Sequence, residues 1–570
     1  MGKINRKQFL EEVIATQVGE RPAAGEDVIF NKYSNKTLPA SYKSTTTLAQ
    51  YIGEWTETQI RHLLRRTMFG VKEADVQTLL GMNMSDAVDY LLNNIPPAPA
   101  PPVNNYEAIG NTDITGVLAG ETWVTAPLGE AILNDARRYS LKSWWVGQML
   151  NQNLSIVEKM VFFWHNHFAT QTYLIGDARL SYNHHVLLRV NALGNYKEFV
   201  KSISTDCAIL MFLNGNLNTK YNPEENYARE LQELFTIGKY NTPKYTEDDI
   251  KAAAKVLTGW RINDTTLASF FLPPFHDTSD KQFSSFYSNT IITGQAGANG
   301  ANETDALIEM IFTKNETAHY LCTKLYRFFV YYNIDAGIDA DIITPLSQLF
   351  IDNNFEIKPV LQTLLKSSHF FDPNTIGCYI KTPLDLAIGN FRTFNMSVPV
   401  SYNVIQTYAL WNNIHGFCLQ AGLDPGDAPN VAGWPQFYQS PAYYELWINS
   451  STLPVRMAYN DALVATGLSA GAGTNVTIDI LEFSKQYSNA GDPAALVSYF
   501  IKLFLGVPVS ATEQANLKGI LLSGQITDSY WTVAWGDYIT NPTTENTSIV
   551  WSRIRALLTT ILRLPEHQLC

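Results

Sequence analysis

The segment Trp164-His165-Asn166-His167-Phe168 contains two histidines that could take part in chemistry. Imidazole is a common metal ligand and a general base near neutral pH, so His165 and His167 are candidate ligands of a divalent metal ion. In an extended backbone, side chains two residues apart share a face and could bind one metal. The preceding spacing predicts a helix, where they lie about 200° apart, so we expect at most one of them at a site. The alternative is that both are hydrogen-bonded histidines of an aromatic core.

Four further polar residues lie on one predicted helix. Asn226, Arg229, Glu230 and Glu233 occupy a band about 100° wide, opposite an apolar side of the same helix. Beside an imidazole, Glu230 or Glu233 could orient the ring, bind a metal or act as a general base. In that hypothesis both glutamates are catalytic, and Asn226 and Arg229 bind the substrate. The alternative is the solvated face of an amphipathic helix.

A polar, irregular loop that follows this region contains His276, Asp277 and Lys281. An imidazole, a carboxylate and an amine close together in the sequence could transfer protons or bind an anion. We predict His276 and Asp277 as catalytic residues and Lys281 as a substrate-binding residue, with Trp260 as a wall of the pocket. The alternative is that Asp277 and Lys281 only hold the loop in place.

The helices that position these residues are delimited by capping residues and glycines. Side chains of Thr and Asn cap a first turn, and glycine ends a helix because it enters the left-handed region. The predicted pairs of cap and stop are Thr56 with Gly70, Asn222 with Gly238, and Thr246 with Gly259. Glu225 and Asp249 complete capping boxes in the second and third of these helices.

Apolar residues at spacings of three and four predict two long helices between residues 130 and 169, separated near 151–155. Strand-like alternation is scarce. The sequence therefore predicts a mainly α fold, a large multi-helix orthogonal assembly with long irregular loops and little or no sheet. We expect an extended arm over residues 1–50 and a helical core over 51–395. An aromatic-rich helical region over 396–570 is expected to pack on that core.

Composition limits the classes of function. The net charge of −12 argues against a dedicated nucleic-acid binder, since phosphate contacts require Lys and Arg. Charged residues make up only 16% of the chain and aromatic residues 12%. If the protein is a scaffold, this charge-poor, aromatic surface would be its interaction face. The five widely spaced cysteines indicate neither a zinc site nor a disulfide framework.

The sequence also bears on the compartment. No run of about 18 apolar residues is present, so we predict no membrane-spanning helix. Arg6 and Lys7 resemble the start of an export signal, but the apolar stretch that such a signal requires does not follow. We therefore expect a cytoplasmic protein, with export to the periplasm or beyond as the alternative.

Several segments form a recognisable series. They are HLLRR with FG at 62–70, FWHNHF at 163–168, NPEENYARELQELFTIG at 222–238, YTEDDIKAAAKVLTGW at 245–260, FHDTSDK at 275–281, AHYLCTKLYRFFV at 318–330, YIKTPLDLA at 379–387, PNVAGWP at 429–435 and WINSSTLPVR at 447–456. Over about residues 60–460 the chain resembles the bacterial domain-of-unknown-function family DUF1800. The resemblance implies a mostly helical fold and no established activity. It also implies a partner that resembles alkaline phosphatases and sulfatases, because genes for such proteins often lie beside those of the family.

Two hypotheses follow. The first is a metal-dependent or acid/base hydrolase whose site lies between helices and uses the His, Glu and Asp residues named above. The second is a non-catalytic scaffold or partner protein of a bacterial complex, in which the same residues form a buried polar network.

Overall fold

A computed structural model describes residues 46–107, 110, 112–239 and 245–570. Residues 46–570 belong to one compact unit. Most of the predicted arm at 1–50 lies outside the described residues. Within the described ranges, the helices are too short or too polar to cross a lipid bilayer.

Helices dominate the described chain, so the predicted mainly α fold is confirmed. The helices of the first half are α1 (Glu57–Thr67), α2 (Glu73–Leu80), α3 (Met84–Asn93), α4 (Ala131–Leu150), α5 (Val157–His167), α6 (Thr172–Ile175), α7 (Ala178–Val190), α8 (Tyr196–Ser204), α9 (Cys207–Phe212), α10 (Glu225–Glu230) and α11 (Glu247–Val256). The next are α12 (Asn302–Ile311), α13 (Asn315–Phe329), α14 (Ala336–Ile338), α15 (Thr344–Asp352), α16 (Ile357–Leu365) and α17 (Pro383–Thr393). The last are α18 (Val404–Gln420), α19 (Thr452–Ala465), α20 (Ile480–Lys485), α21 (Pro493–Phe504), α22 (Ala511–Leu521), α23 (Ser529–Thr540) and α24 (Thr544–Arg563).

Sheet structure among the described residues consists of three short antiparallel pairs. The strands are β1 (Trp260–Asn263) with β2 (Ala268–Phe271), β3 (Lys281–Gln282) with β4 (Ile291–Ile292), and β5 (Leu468–Ser469) with β6 (Asn475–Val476). The first two pairs lie in the irregular loop after α11. This loop is therefore an ordered β-rich insertion between helices.

One contiguous hydrophobic core extends from Ile60 to Leu562 and includes buried residues on both sides of residue 395. Helices α17 and α18, which flank that position, pack on each other, and α18 also packs along α4. Helix α24 contacts each of α19 to α23 and organises the carboxyl-terminal region. The division of the chain at residue 395 stays a prediction.

The predicted caps agree with the structure at two of three positions. Thr56 caps α1, and Thr246 caps α11 through a complete capping box with Asp249. The prediction for Asn222 is wrong, because the peptide N–H of Asn222 donates to the Thr219 carbonyl in a tight turn. The helix starts two residues later, where Glu224 is extended and its carboxylate accepts from the N–H of Asn226 at 3.4 Å.

The helix of Asn226 changes geometry before it ends. After Glu230 it continues as a π-helix over Leu231–Thr236 and stops at Gly238, which has φ +91°. The last carbonyls of a helix have no partner within the helix, so they are free to accept from side chains. Single π turns occur often at functional sites. Two carbonyls of this π segment, those of Leu234 and Phe235, accept hydrogen bonds from the residues described next.

Candidate active site

The two histidines of α5 contact different parts of the protein. His165 Nε2 accepts from the Gly426 N–H at 3.2 Å. His167 Nε2 lies 3.2 Å from the Phe235 carbonyl, and His167 Nδ1 lies 3.0 Å from Lys324 Nζ. Burial lowers the pKa of His165 to about 3 and holds the pKa of His167 well below its usual range. Both rings are therefore neutral at physiological pH and do not converge on one site.

The α5 segment also connects two distant parts of the sequence. Asn166 Oδ1 accepts from the Trp434 N–H at 2.9 Å. A Cβ atom at Gly433 would lie 2.3 Å from Asn166 Oδ1, and Gly433 has φ +87°, so both contact and conformation require glycine there. The histidine-rich segment at 163–168 and the PNVAGWP segment thus form one structural unit.

His276 and Lys281 both contact Glu303, a residue that was not among the candidates named from the sequence. Glu303 Oε1 lies 3.0 Å from His276 Nε2, and Glu303 Oε2 accepts from Lys281 Nζ at 2.5 Å. The exposed fractions are 1% for His276, 1% for Lys281 and 0% for Glu303. Burial opposes ionisation of Glu303, but hydrogen bonds from His276 and Lys281 outweigh it and lower the pKa of the carboxyl. This Glu303 cluster (His276, Lys281 and Glu303) fastens the β-rich insertion to α12.

The remaining residues of the predicted loop and helix site make local contacts. Trp260 Nε1 donates to Thr304 Oγ1 at 3.0 Å, which fixes β1 against α12. The Asp277 carboxylate accepts from the Ser279 N–H at 2.8 Å. Asn226 Nδ2 donates to a backbone carbonyl of the preceding segment at 3.4 Å.

The charged residues of the 225–238 helix form a partly exposed ion-pair network. Arg229 pairs with Glu247 at 2.7 Å and with Glu233 at 3.6 Å, and Glu233 pairs with Lys239 at 3.4 Å. Burial, and secondarily the charge of Glu233, raise the pKa of Glu230. The structure gives these residues, the Glu303 cluster and the two histidines separate sets of partners.

A cavity of about 570 Å³ lies between α13, Gly238 and the segment 437–443. A cavity of this size is typical of small-molecule sites, which combine apolar walls with a few polar groups. Its lining residues are Gly238, His319, Tyr320, Thr323, Lys324, Arg327, Ile334, Asp339, Phe437, Tyr438, Gln439, Ser440 and Tyr443. We call it the Lys324 cavity.

Lys324 is the most unusual group on its wall. Nζ lies 3.0 Å from His167 Nδ1 and 3.4 Å from the Leu234 carbonyl. Among the described residues, no carboxylate forms an ion pair with this amine. Burial, and to a smaller extent the charge of Arg327, lower the pKa of Lys324 to about 7. A substantial fraction of the amine is therefore neutral at physiological pH.

Two more ionisable groups complete the polar part of the wall. Arg327 lies one turn after Lys324, its Nε donates to the Tyr332 carbonyl at 3.2 Å, and its guanidinium stacks over Tyr443 at 5.1 Å. His319 Nε2 lies 2.7 Å from Asp339 Oδ1. This pair is partly exposed, with side-chain exposed fractions of 29% and 45%. The cavity thus has an amine with a lowered pKa, a guanidinium held by its neighbours, and an imidazole with an orienting carboxylate.

The candidate residues named from the sequence did not include those of the Lys324 cavity, although the 318–330 segment was among the motifs. Tyr320, Lys324 and Arg327 follow the spacing of four and three that places residues on one face of a helix. Lys324 and Arg327 are the two Lys or Arg residues of this helix, and their position on one face is the signal that the sequence offers. The contribution of Gly238 and residues 437–443 depends on tertiary folding.

The predicted divalent metal ion has no obvious ligand set here. In the part of the chain that the structure describes, no group of three or more His, Cys, Asp or Glu side chains is arranged to hold a metal. Both ring nitrogens of His167 are engaged within the protein. All five cysteines lie among the described residues and are free thiols.

Comparison with known families identifies the family of this chain. The family model described as "Protein of unknown function (DUF1800)" matches residues 62–569. The chain belongs to the DUF1800 family. No curated protein and no solved structure matches it. The DUF1800 match extends beyond the motifs at 62–456 and past the last helix to residue 569, and it includes the whole wall of the Lys324 cavity.

Proposed function

We propose that this DUF1800 protein is a hydrolase that acts on a small anionic substrate by acid/base catalysis in the Lys324 cavity. The observation that carries the proposal is a lysine with a pKa of about 7 on the wall of a cavity of about 570 Å³. Efficient general bases have a pKa near the working pH. Strongly shifted groups in a cleft are candidates for function.

Lys324 is the proposed general base. A neutral amine has two N–H groups, and two acceptors are within reach, His167 Nδ1 and the Leu234 carbonyl. His167 is neutral and its Nε2–H donates to Phe235, so its Nδ1 lone pair is available to the amine. With both N–H groups engaged, the lone pair of Nζ remains to take a proton from an attacking water. The Tyr196 hydroxyl also donates to the Phe235 carbonyl, which holds this carbonyl beside His167.

Arg327 is the proposed anion-binding group. Its Nε is used by the Tyr332 carbonyl, so the terminal nitrogens are the donors that remain for a substrate carboxylate, phosphate or sulfate group. The His319 imidazole, oriented by Asp339, is the proposed general acid for the leaving group. The tyrosines of the wall supply flat apolar surface with a hydroxyl at the edge.

The residues predicted from the sequence take supporting roles in this proposal. His167 orients Lys324, and the helix of Glu230 and Glu233 supplies the Leu234 carbonyl and ends at the cavity. Glu230, with a raised pKa, stays the second candidate for a proton-transferring carboxylate. A divalent metal, and a sulfatase-like or phosphatase-like partner, stay predictions.

The test is hydrolysis of p-nitrophenyl phosphate, sulfate and carboxylate-bearing p-nitrophenyl esters by purified protein and variants. We expect Lys324→Met to lower kcat/KM by about 10²–10⁴, the usual contribution of a general base. Arg327→Met should mainly raise KM, because it removes a binding charge. Lys251→Met, which removes an exposed lysine that pairs with Asp248, is the matched control. Equal kcat/KM in wild type and Lys324→Met would contradict the proposal.

A scaffold is the second candidate function, and the Glu303 cluster favours it. Its His, Lys and Glu side chains satisfy one another at exposed fractions of 0–1%, as a structural network does. If the protein is only a scaffold, no variant of the Lys324 cavity alters hydrolysis. Variants of the cluster would then alter only the stability of the protein or the recovery of its complex.

A further inference from the structure

The Lys324 cavity has a polar side and an aromatic side. The lysine, the arginine and the histidine of its wall all lie on α13. Three of its four aromatic residues lie in the segment 437–443, and they are Phe437, Tyr438 and Tyr443. A ligand that fills the cavity therefore meets polar groups from the helix and flat apolar rings from this segment.

The ring of Tyr438 is anchored at one end and otherwise unpaired. Its hydroxyl accepts from Asn430 Nδ2 at 3.0 Å. In the part of the chain that the structure describes, no aromatic ring and no cation stacks on Tyr438, although both neighbouring aromatic residues make such contacts. Aromatic rings gain stability from offset or edge-to-face contact with a second ring. The half-buried ring of Tyr438 thus offers its surface to a ligand of the cavity.

The other two rings of the segment are fixed before a ligand arrives. The Phe437 ring lies 5.5 Å from that of Phe328 and 5.9 Å from that of Trp447, measured between centroids. Tyr443 packs on Tyr332 at 5.5 Å and has φ +44°, a conformation that bulky side chains rarely adopt. Strained residues of this kind persist only where the surrounding structure holds them. A wall that is already ordered loses little entropy when a ligand binds.

The fourth ring extends the aromatic surface to the proposed base. Lys324 Nζ lies 5.0 Å from the centroid of the Tyr320 ring. A Cβ atom at Gly238 would lie 2.7 Å from this ring, and Gly238 has φ +91°, so a glycine is required for Tyr320 to take this position. The amine and the aromatic surface are therefore parts of one continuous wall.

The volume of the cavity shows that an inorganic anion alone is not its ligand. Phosphate and sulfate each have five heavy atoms, whereas cavities of about 300–1,000 Å³ usually bury most of an organic ligand of drug size. The Lys324 cavity, at about 570 Å³, falls in that class. Arg327 accounts for the anionic end of a ligand, and the rings of 437–443 remain for its organic part.

We propose that the ligand of the Lys324 cavity is an aromatic anion, with its anionic group at Arg327 and its ring against Tyr438. The inference rests on the function proposed above for the anionic group and for the ligand being a substrate. The ring rests on the aromatic wall alone. An aliphatic group would cover the same apolar area, but it would gain no ring contact with Tyr438.

The experiment measures binding of anions that the protein cannot hydrolyse. The dissociation constants of phenylphosphonate, cyclohexylphosphonate and methylphosphonate for the full-length protein are obtained by ligand-detected NMR titration at pH 7. Phenylphosphonate should bind about 10-fold or more tightly than methylphosphonate, because it buries a ring. It should also bind roughly 3-fold more tightly than cyclohexylphosphonate, because only the phenyl group pairs with aromatic rings. Benzoate, cyclohexanecarboxylate and acetate repeat the series with a carboxylate and identify the preferred anionic group.

Variants locate the preference in the cavity. Tyr438→Leu keeps apolar bulk but removes the ring, so phenyl and cyclohexyl analogues should bind it equally. Tyr443→Leu is the second variant if Tyr438→Leu does not fold. Arg327→Met should weaken phenylphosphonate and methylphosphonate by the same factor. Tyr221→Leu, which removes a tyrosine that is 76% exposed, is the matched control and should leave every ratio unchanged.

The outcomes separate this inference from the proposed hydrolase. Equal binding of the phenyl and cyclohexyl analogues by the wild type would overturn the inference, and so would an unchanged ratio in every folded variant of the aromatic wall. If Lys324→Met still lowers hydrolysis in that case, the hydrolase proposal is unaffected. A preference for phenylphosphonate without hydrolysis of any p-nitrophenyl substrate would contradict the hydrolase and support a binding site for aromatic anions.

Discussion

The Glu303 cluster and the Lys324 cavity each contain a lysine and a histidine, but the two lysines are held differently. Lys281 Nζ meets the Glu303 carboxylate at 2.5 Å, and the group is sealed from solvent. Lys324 has an imidazole nitrogen and a backbone carbonyl in place of a carboxylate, and it faces a cavity. Burial without a neighbouring carboxylate lowers the pKa of Lys324 to about 7, so this amine can exchange protons near neutral pH.

The largest effect is expected when the carboxylate of the cluster is removed. Glu303→Gln leaves Lys281 buried without its counter-charge, which typically costs about 3–5 kcal/mol in the free energy of unfolding. Glu309→Gln on the same helix is the matched control. Its carboxylate pairs with Lys197 and Lys201 at 49% exposure, so the expected loss is about 0–1 kcal/mol. Urea unfolding monitored by tryptophan fluorescence measures both, and equal losses would remove the distinction between the two regions.

The next effect concerns the protonation of Lys324 itself. Its folded pKa of about 7 lies below that of an ordinary lysine, about 10.4, so its reactive neutral form appears about three pH units earlier. Between these two pH values the folded protein binds fewer protons at Lys324 than the unfolded chain does, so the free energy of unfolding rises with pH. The contribution of Lys324 to stability therefore rises with pH between about 7 and 10.4, and it is lost as pH falls through 7.

Competitive labelling with trace acetic anhydride, followed by peptide mass spectrometry, measures that pKa. We expect the labelling of Lys324 to rise with a midpoint near pH 7. The hydrogen bond to Asp248 raises the pKa of exposed Lys251 above the usual lysine value, so its labelling should still be low at that pH. Lys281 should stay unlabelled in the folded protein, because it is sealed. A Lys324 midpoint above pH 9 would contradict both its neutral state and its proposed role as a base.

The smallest effect on the free energy of unfolding is expected for the partly exposed pair of His319 and Asp339 in the wall of the Lys324 cavity. Asp339→Asn removes the partner of His319 in a partly exposed pair, so the free energy of unfolding should change by only about 0–1 kcal/mol. If His319 is the general acid, kcat on the substrate found in the hydrolysis screen should nevertheless fall. Urea unfolding and steady-state kinetics on the same preparation separate the two effects. A loss of stability without a loss of kcat would assign the pair a structural role.

Several local features were predictable because they depend on neighbours in the chain. The caps at Thr56 and Thr246 and the separation of His165 from His167 follow from hydrogen bonds and angles within one helix. Asn222 is not a helix cap because it closes a tight turn with Thr219, and side-chain capping preference does not detect such a turn. The role of Glu303 could not be predicted, since it is one of many glutamates on predicted helices.

The helical class, the family and the residue types available for chemistry could be read from the sequence alone, because periodicity, capping and motifs are local. The surroundings of the two lysines were not predictable from the sequence. Lys281 and Lys324 differ in whether a carboxylate from a distant segment meets them, and that contact depends on long-range packing. The same packing formed the cavity beside Lys324, where burial lowers the pKa of the lysine to about 7.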